Sequence, residues 1–277
     1  MHAWEILAYA VASYHGRMDD GLHACEEAMR HARRAGFRQW RPFMLELALL
    51  LGPRPADEAL RTLDALMGSS THPGTNLTRA GLLAMLGQIE RGLILGAEAQ
   101  RALNELAGED GGVASFAEIQ WLAGEREEAV AGMRSACAFL QRRGQVGNLS
   151  YYEPRLGRML CSRGRHEEAA PLAARGREFT AAGDKAGEIA WRQTQALVDS
   201  HRGRHAEGEA MAREAVDFAE MTDLLDLQGD ALSDLAEVLA SAGKAEEARA
   251  ALEQALDRYE RKRNLVMAAR VREQLAG

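Results

Sequence analysis

TDLLDLQGDALSDLAEVLASAGKAEEARAALEQALDRYERKR, residues Thr222 to Arg263, reads as two helices joined by a Gly243-Lys244 corner. In the first half Leu232, Leu235, Ala236 and Leu239 recur at i, i+3, i+4 and i+7, and Asp230, Asp234 and Glu237 fall between them, which is the pattern of an amphipathic helix. Asp223 stands where it can cap that helix. In the second half Ala248, Leu252 and Ala255 keep the same spacing, and small residues seven apart allow two backbones to approach closely. A single hairpin of this kind cannot bury its apolar face, so more of them are expected along the chain.

Corners of the same type stand at Gly16, Gly124, Gly164 and Gly203, with weaker ones at Gly52 and Gly92, giving intervals of 36, 40, 32, 40, 39 and 40 residues. Five positions after each corner the residue is small in six of seven cases: Gly21, Ala97, Ala129, Ala169, Gly208 and Ala248, with Asp57 the exception. The helices expected from these corners pair as 3–15 with 20–35, 40–51 with 56–67, 77–88 with 93–106, 113–122 with 125–142, a helix capped by Asn148 with 167–181, and 186–201 with 206–221. Pro154 lies past the first turn of its helix and predicts a kink or a late start there. Leu265 to Leu275 supplies one more amphipathic helix, suited to cover a solenoid's open end. The fold expected is therefore all-α, a right-handed superhelical solenoid of about seven antiparallel helix pairs with a C-terminal capping helix. It forms one domain over 1–277, with a change of pitch or sub-boundary at 68–76, where GSSTHPG is the most loop-like segment.

Composition supports a packed chain: of its 277 residues 47% are hydrophobic and 27% charged, so it is not disordered on that ground. The net charge of -7 disfavours nucleic acid or an anionic membrane as partner and suits a basic peptide better. Cys25, Cys137 and Cys161 are odd in number and form no CxxC pair, which indicates neither a disulfide framework nor a zinc site and fits the reducing cytoplasm. The N-terminal run carries Glu5 where a signal peptide would carry Lys or Arg, so it reads as a helix.

The small residues seven apart, preceded by the Leu232, Leu235-Ala236, Leu239 helix, resemble a tetratricopeptide repeat with a period nearer 40 than about 34. The run from Gly203 to Asn264, with SACAFLQRRGQVGNLS upstream, is similar to the C-terminal repeat region of bacterial multidomain regulators. In those proteins such repeats follow an AAA-type ATPase module, accompanied by an adenylate/guanylate cyclase domain or a LuxR-type DNA-binding domain. The resemblance implies a sensory or scaffolding module. No GxxxxGK[ST] phosphate loop, cyclase metal site or helix-turn-helix accompanies it, and no catalytic constellation emerges, so the expectation is a chain that is not an enzyme and takes no cofactor or metal.

In peptide-binding repeats the first helix of each pair lines the concave groove, an analogy that presents Asp230, Ser233 and Glu237 to a ligand; the alternative is a solvated acidic face. Tyr151, Arg155 and Arg158 add a basic, aromatic-flanked patch to the same groove or are simply exposed. Aligning the corners Gly203 and Gly243 sets Arg192, Gln195 and Asp199 where Leu232, Leu235 and Leu239 stand. Either that helix rotates to bury Trp191, Leu197 and Val198, or the three polar residues form a network inside the stack. His201 and His205 straddle a corner that keeps them off one helical face, so a metal pair is not expected. The function expected is binding of a protein or peptide, without direct contact to nucleic acid or membrane. The alternatives are a regulatory fragment of an ATP-binding cyclase-type or STAND-type ATPase protein, and a self-associating adaptor forming a homodimer through Trp4, Ile6 and Leu7.

Overall fold

The computed structural model describes residues 2–37, 42, 44–68, 71–107 and 112–277, and every regular element among them is a helix. Helix α1 (His2–Tyr9) runs through a π-helical turn (Ala10–Tyr14) and packs on α2 (Met18–Arg34). Further hairpins follow: α3 (Met44–Leu51) with α4 (Ala56–Met67), α5 (Pro73–Met85) with α6 (Ile89–Ala107), and α7 (Val113–Ala123) with α8 (Arg126–Arg142). Next come α9 (Val146–Cys161) with α10 (His166–Phe179), α11 (Lys185–His201) with α12 (His205–Glu220), and α13 (Leu225–Ser241) with α14 (Ala245–Lys262). Helix α15 (Leu265–Ala276) closes the series against α14. The expected start of the third helix at Trp40 lies outside the described residues, as do Ser69 and Ser70 of GSSTHPG and most of the GEDGG turn.

The corners work through left-handed backbone. Gly16, Gly124, Gly164, Gly203 and Gly243 all have φ between 62° and 88°, a region that costs a side chain but not glycine. The third corner is a correction: it falls at Gly87 (φ 77°), and Gly92 lies inside α6. Counted from Gly87, the small residue five positions on is Gly92 itself rather than Ala97. A Cβ there would stand 3.0 Å from the Ala80 carbonyl oxygen of α5. Gly208 does the same on α12, where a Cβ would stand 3.0 Å from the Ala196 carbonyl oxygen. The repeated small residue is thus the point where the two backbones of a hairpin touch.

Two capping expectations change. Helix α9 begins at Val146 after Gln145, with no side-chain cap from Asn148, and it continues through Pro154 rather than starting late. Gly176 on α10 makes room for that proline, because a Cβ at Gly176 would meet the Pro154 ring at 2.1 Å. Asp223 does not cap the helix that follows it. Its carboxylate accepts from the backbone N–H groups of Met18 (2.8 Å) and Asp19 (2.9 Å), at the start of α2.

That contact spans more than two hundred residues, and others accompany it. The Asp223 N–H donates to the Gly16 carbonyl at 3.0 Å, and the Lys262 ammonium donates to the carbonyls of Gly52 (2.6 Å) and Arg54 (3.1 Å). One apolar cluster contains Ala8, Leu22, Leu45 and Leu63 from the first pairs together with Ile189, Leu224 and Leu227 from the last. The solenoid therefore turns back on itself until its first and last pairs share a core. Cys25, Cys137 and Cys161 are free and buried in these cores, and burial pushes the thiols of Cys25 and Cys137 up to about 12.

Lys262 is fully buried and, among the described residues, makes no ion pair. Burial lowers its ammonium to about 8, against the opposing pull of Asp226 and Asp223. Between that value and the ordinary lysine value near 10.4 the unfolded chain holds the proton more often than the folded one, so stability rises with pH across this window. Replacing Lys262 by Met removes the term. Urea titrations from pH 8 to pH 10 should show the wild type gaining on Lys262→Met by about 2 kcal/mol. Parallel pH profiles would show that the lysine is not held this way.

A buried charge network on the inner face

The first helices of successive pairs carry the polar interior. From α9, Arg155 reaches backward to α7 and forward to α13: its Nε and Nη2 donate to the two oxygens of Glu118 at 2.8 Å each, and its Nη1 donates to Asp230 Oδ2 at 2.6 Å. One turn on, Arg158 donates from Nε to Asp234 (2.6 Å to Oδ2) and lies 3.0 Å from Asp230 Oδ2. Packed helices sit about 8–10 Å apart, so in a straight stack α9 and α13, with α11 between them, would be beyond side-chain reach. Their direct pairing makes this the concave face.

The remaining valences are filled from the same side. Tyr259 of α14 donates its hydroxyl to Asp230 Oδ1 at 2.7 Å, and Gln193 of α11 donates to Asp234 Oδ2 at 2.9 Å. Gly229 admits the tyrosine: a Cβ there would stand 2.8 Å from its ring. Burial pushes the Asp230 carboxyl up, but Arg158, Arg155 and Tyr259 outweigh it and hold the group below the ordinary aspartate value. Asp234 goes the other way: burial, helped by the neighbouring charges of Asp230 and Glu237, raises it to about 6 despite Arg158. The two arginines stay protonated, since their carboxylate partners raise them further.

The residues singled out in the sequence are placed as follows. Asp230 is buried with Arg155 and Arg158, a pairing that neither a solvated stripe nor a free groove anticipated. Ser233 is half-buried and turns its hydroxyl to the Gly229 carbonyl, while Glu237 is exposed. Tyr151 is half-buried and meets Tyr152 edge to face, with ring centres 5.3 Å apart. On α11 Trp191, Leu197 and Val198 are buried, and so is Asp199, which accepts from Gln195 at 2.8 Å and pairs with Arg204. Arg192 stands apart from them, paired with Glu188 and Glu214 and lying over the rings of Trp191 and Phe218. His201 stacks on His166 at 3.8 Å rather than joining His205, and no group of three His, Cys, Asp or Glu among the described residues has the arrangement to hold a metal ion.

Glu118, Gln193 and Tyr259 were not foreseen. One signal was available: Arg155 and Asp234 each stand nine residues before their corner glycine, so opposite charges occupy the same register two pairs apart.

The class defined by this architecture is a helical solenoid carrying a tetratricopeptide-like repeat region. Residues 229–264 match the tetratricopeptide repeat family model. Among solved structures the chain is similar to NprR in complex with its cognate peptide NprX, with a TM-score of 0.58, 16% identity, and coverage of 90% of this chain and 80% of that one. It is also similar to the apo form of the quorum sensor NprR from B. thuringiensis, with a TM-score of 0.55, 14% identity, and coverage of 96% and 79%. No curated protein matches the sequence.

Removing one partner of a buried pair leaves the other charge stranded, at a cost of about 3–5 kcal/mol, whereas replacing both with apolar groups of similar volume is often neutral. Arg158→Met should therefore lose stability of that order in urea titration, and Arg158→Met combined with Asp234→Leu should recover most of it. A double variant as unstable as the single one would show that the pair is not the unit of this interaction.

Proposed function

We propose that the chain is a non-catalytic protein- or peptide-binding scaffold serving as the sensor module of a bacterial signalling or transcription regulator, and that it works in the cytoplasm. The single observation that carries this reading is the polar inner face, where paired guanidinium, amide and carboxylate groups line the concavity of α7, α9, α11 and α13. An extended segment presents alternating amides and side chains, and such a surface can satisfy both. The likeness in fold to NprR, whose structure with its cognate peptide NprX is known, supports it. No described helix is long and apolar enough to cross a membrane.

On this reading Tyr151, Arg155, Arg158, Asp230, Ser233 and Glu237 form the ligand surface. The exposed Glu237 attracts a basic group, and the Arg155–Asp230 pair exchanges partners when an incoming peptide supplies both signs of charge. A second reading, self-association, is favoured by α1, where Ile6 is 71% exposed and Leu7 and Tyr9 lie nearby at 44% and 48%.

Fluorescent heptapeptides screened by polarisation test the first reading. A subset should bind saturably, more weakly at high salt, and Glu237→Lys or Tyr151→Ala should weaken binding at least about tenfold, or about 1.4 kcal/mol, with melting temperature unchanged. Absence of any saturable binder, or equal affinity in both variants, would rule it out.

A further inference from the structure

Two arginines outside the network converge without an acid between them. Arg126 opens α8, and its Nη1 donates to the Trp121 carbonyl at 3.1 Å; Arg270, on α15, donates from Nη2 to the same carbonyl at 3.3 Å and to that of Leu122 at 2.8 Å. Two guanidiniums thus lie within hydrogen-bond reach of one oxygen, at the C-terminal end of α7. The negative end of that helix dipole offsets part of their repulsion. The Trp121 ring supports one of them, with the Arg126 guanidinium 3.8 Å from its centre.

Neither arginine forms an ion pair among the described residues. The acids nearby in sequence are committed elsewhere or exposed: Glu127 pairs with Arg163, Glu125 accepts from Gln120, and Glu273 is exposed. Burial, helped by the charges of Arg270, Arg158 and Arg163, lowers Arg126 to about 10; burial lowers Arg270 as well, against the weaker pull of Tyr259, Asp230 and Glu273. In a chain of net charge -7 this is a local excess of cation, half-buried and with N–H donors left over. Arg126 spends one of its five N–H donors on a carbonyl, and Arg270 spends its Nη1 only on the weak acceptor Met267 Sδ at 3.4 Å.

We propose that Arg126 and Arg270 form a carboxylate-binding site between the fourth helix pair and the C-terminal helix, filled either by a small-molecule carboxylate or by the terminal carboxylate of a bound peptide. The second source rests on the peptide-binding reading above; the first does not. A carboxylate bridging the two guanidinium forks replaces their repulsion by two charge-assisted contacts. It also ties α15 to the α7–α8 corner, so occupancy tightens the attachment of the last helix.

The test uses the full chain, following Trp121 fluorescence with Trp121→Phe as the blank and isothermal titration in parallel. One arm titrates N-acetylglycine. The other compares Asp- and Glu-free heptapeptides as free acids and as C-terminal amides. A saturable response to N-acetylglycine, reduced at least tenfold in both Arg126→Gln and Arg270→Gln at unchanged melting temperature, supports the site with a small-molecule source. A response to free-acid peptides only, with amides at least tenfold weaker and the difference erased in Arg270→Gln, supports it with a peptide source. Peptides that bind equally as acid and amide, with no response to N-acetylglycine, overturn the carboxylate site while leaving peptide binding standing. No response in either arm overturns the site. If one glutamine variant fails to fold, the other, together with Arg270→Lys, carries the comparison, since lysine keeps the charge and loses the fork.

Discussion

The contact on which the architecture depends is the buried attachment of the last pair to the first ones. A fully buried ammonium, Lys262, is held by two main-chain carbonyls of the α3–α4 corner, and a carboxylate, Asp223, seats the N-terminus of α2. Neither group would be retained in an apolar setting without compensation, because taking a charge out of water is expensive. Both are bonded directly to backbone dipoles and not to opposite charges, with Asp226 and Asp223 acting on Lys262 from further away. That choice fixes position sharply: a carbonyl or an N–H at a helix end has one direction, whereas a flexible surface ion pair has many.

Curvature follows from the same geometry. Small residues at contact points such as Gly92 and Gly208 bring the two backbones of a hairpin together, and the stack bends until α9 and α13 meet over α11. The inner face then cannot be apolar and open. It is filled by an arginine-aspartate lattice whose members are each bonded more than once: Asp230 accepts from Arg155 and Tyr259, and Asp234 from Arg158 and Gln193. Loss of a single member of such a lattice strands a buried partner, so its members hold one another in place.

Most of the helices were legible in the sequence because local signals agree: Gly243-Lys244, Leu232 to Leu239, and Ala248 seven before Ala255. The third corner was misplaced because Gly92, the small contact residue of α6, looks the same in sequence as a corner glycine; only its backbone conformation separates it from Gly87. The site was half legible. Asp230, Arg155 and Arg158 were singled out, but as surfaces waiting for a ligand, since the acid stripe and the basic patch lie some 75 residues apart and nothing local announces that they face each other. The role of Asp223 was invisible for a stronger reason: its position before α13 satisfies every rule for a cap there, while its actual partners lie at the other end of the chain.

An open solenoid can gain or lose a repeat and remain itself, since each unit touches only its neighbours. This one cannot. Inserting a pair would displace Asp223 from Met18 and Lys262 from Gly52 by about 10 Å, one helix spacing, and no side chain spans that gap. The number of repeats is therefore set by closure and not by length, and duplication, the usual way in which such arrays evolve, is shut off between Gly16 and Lys262.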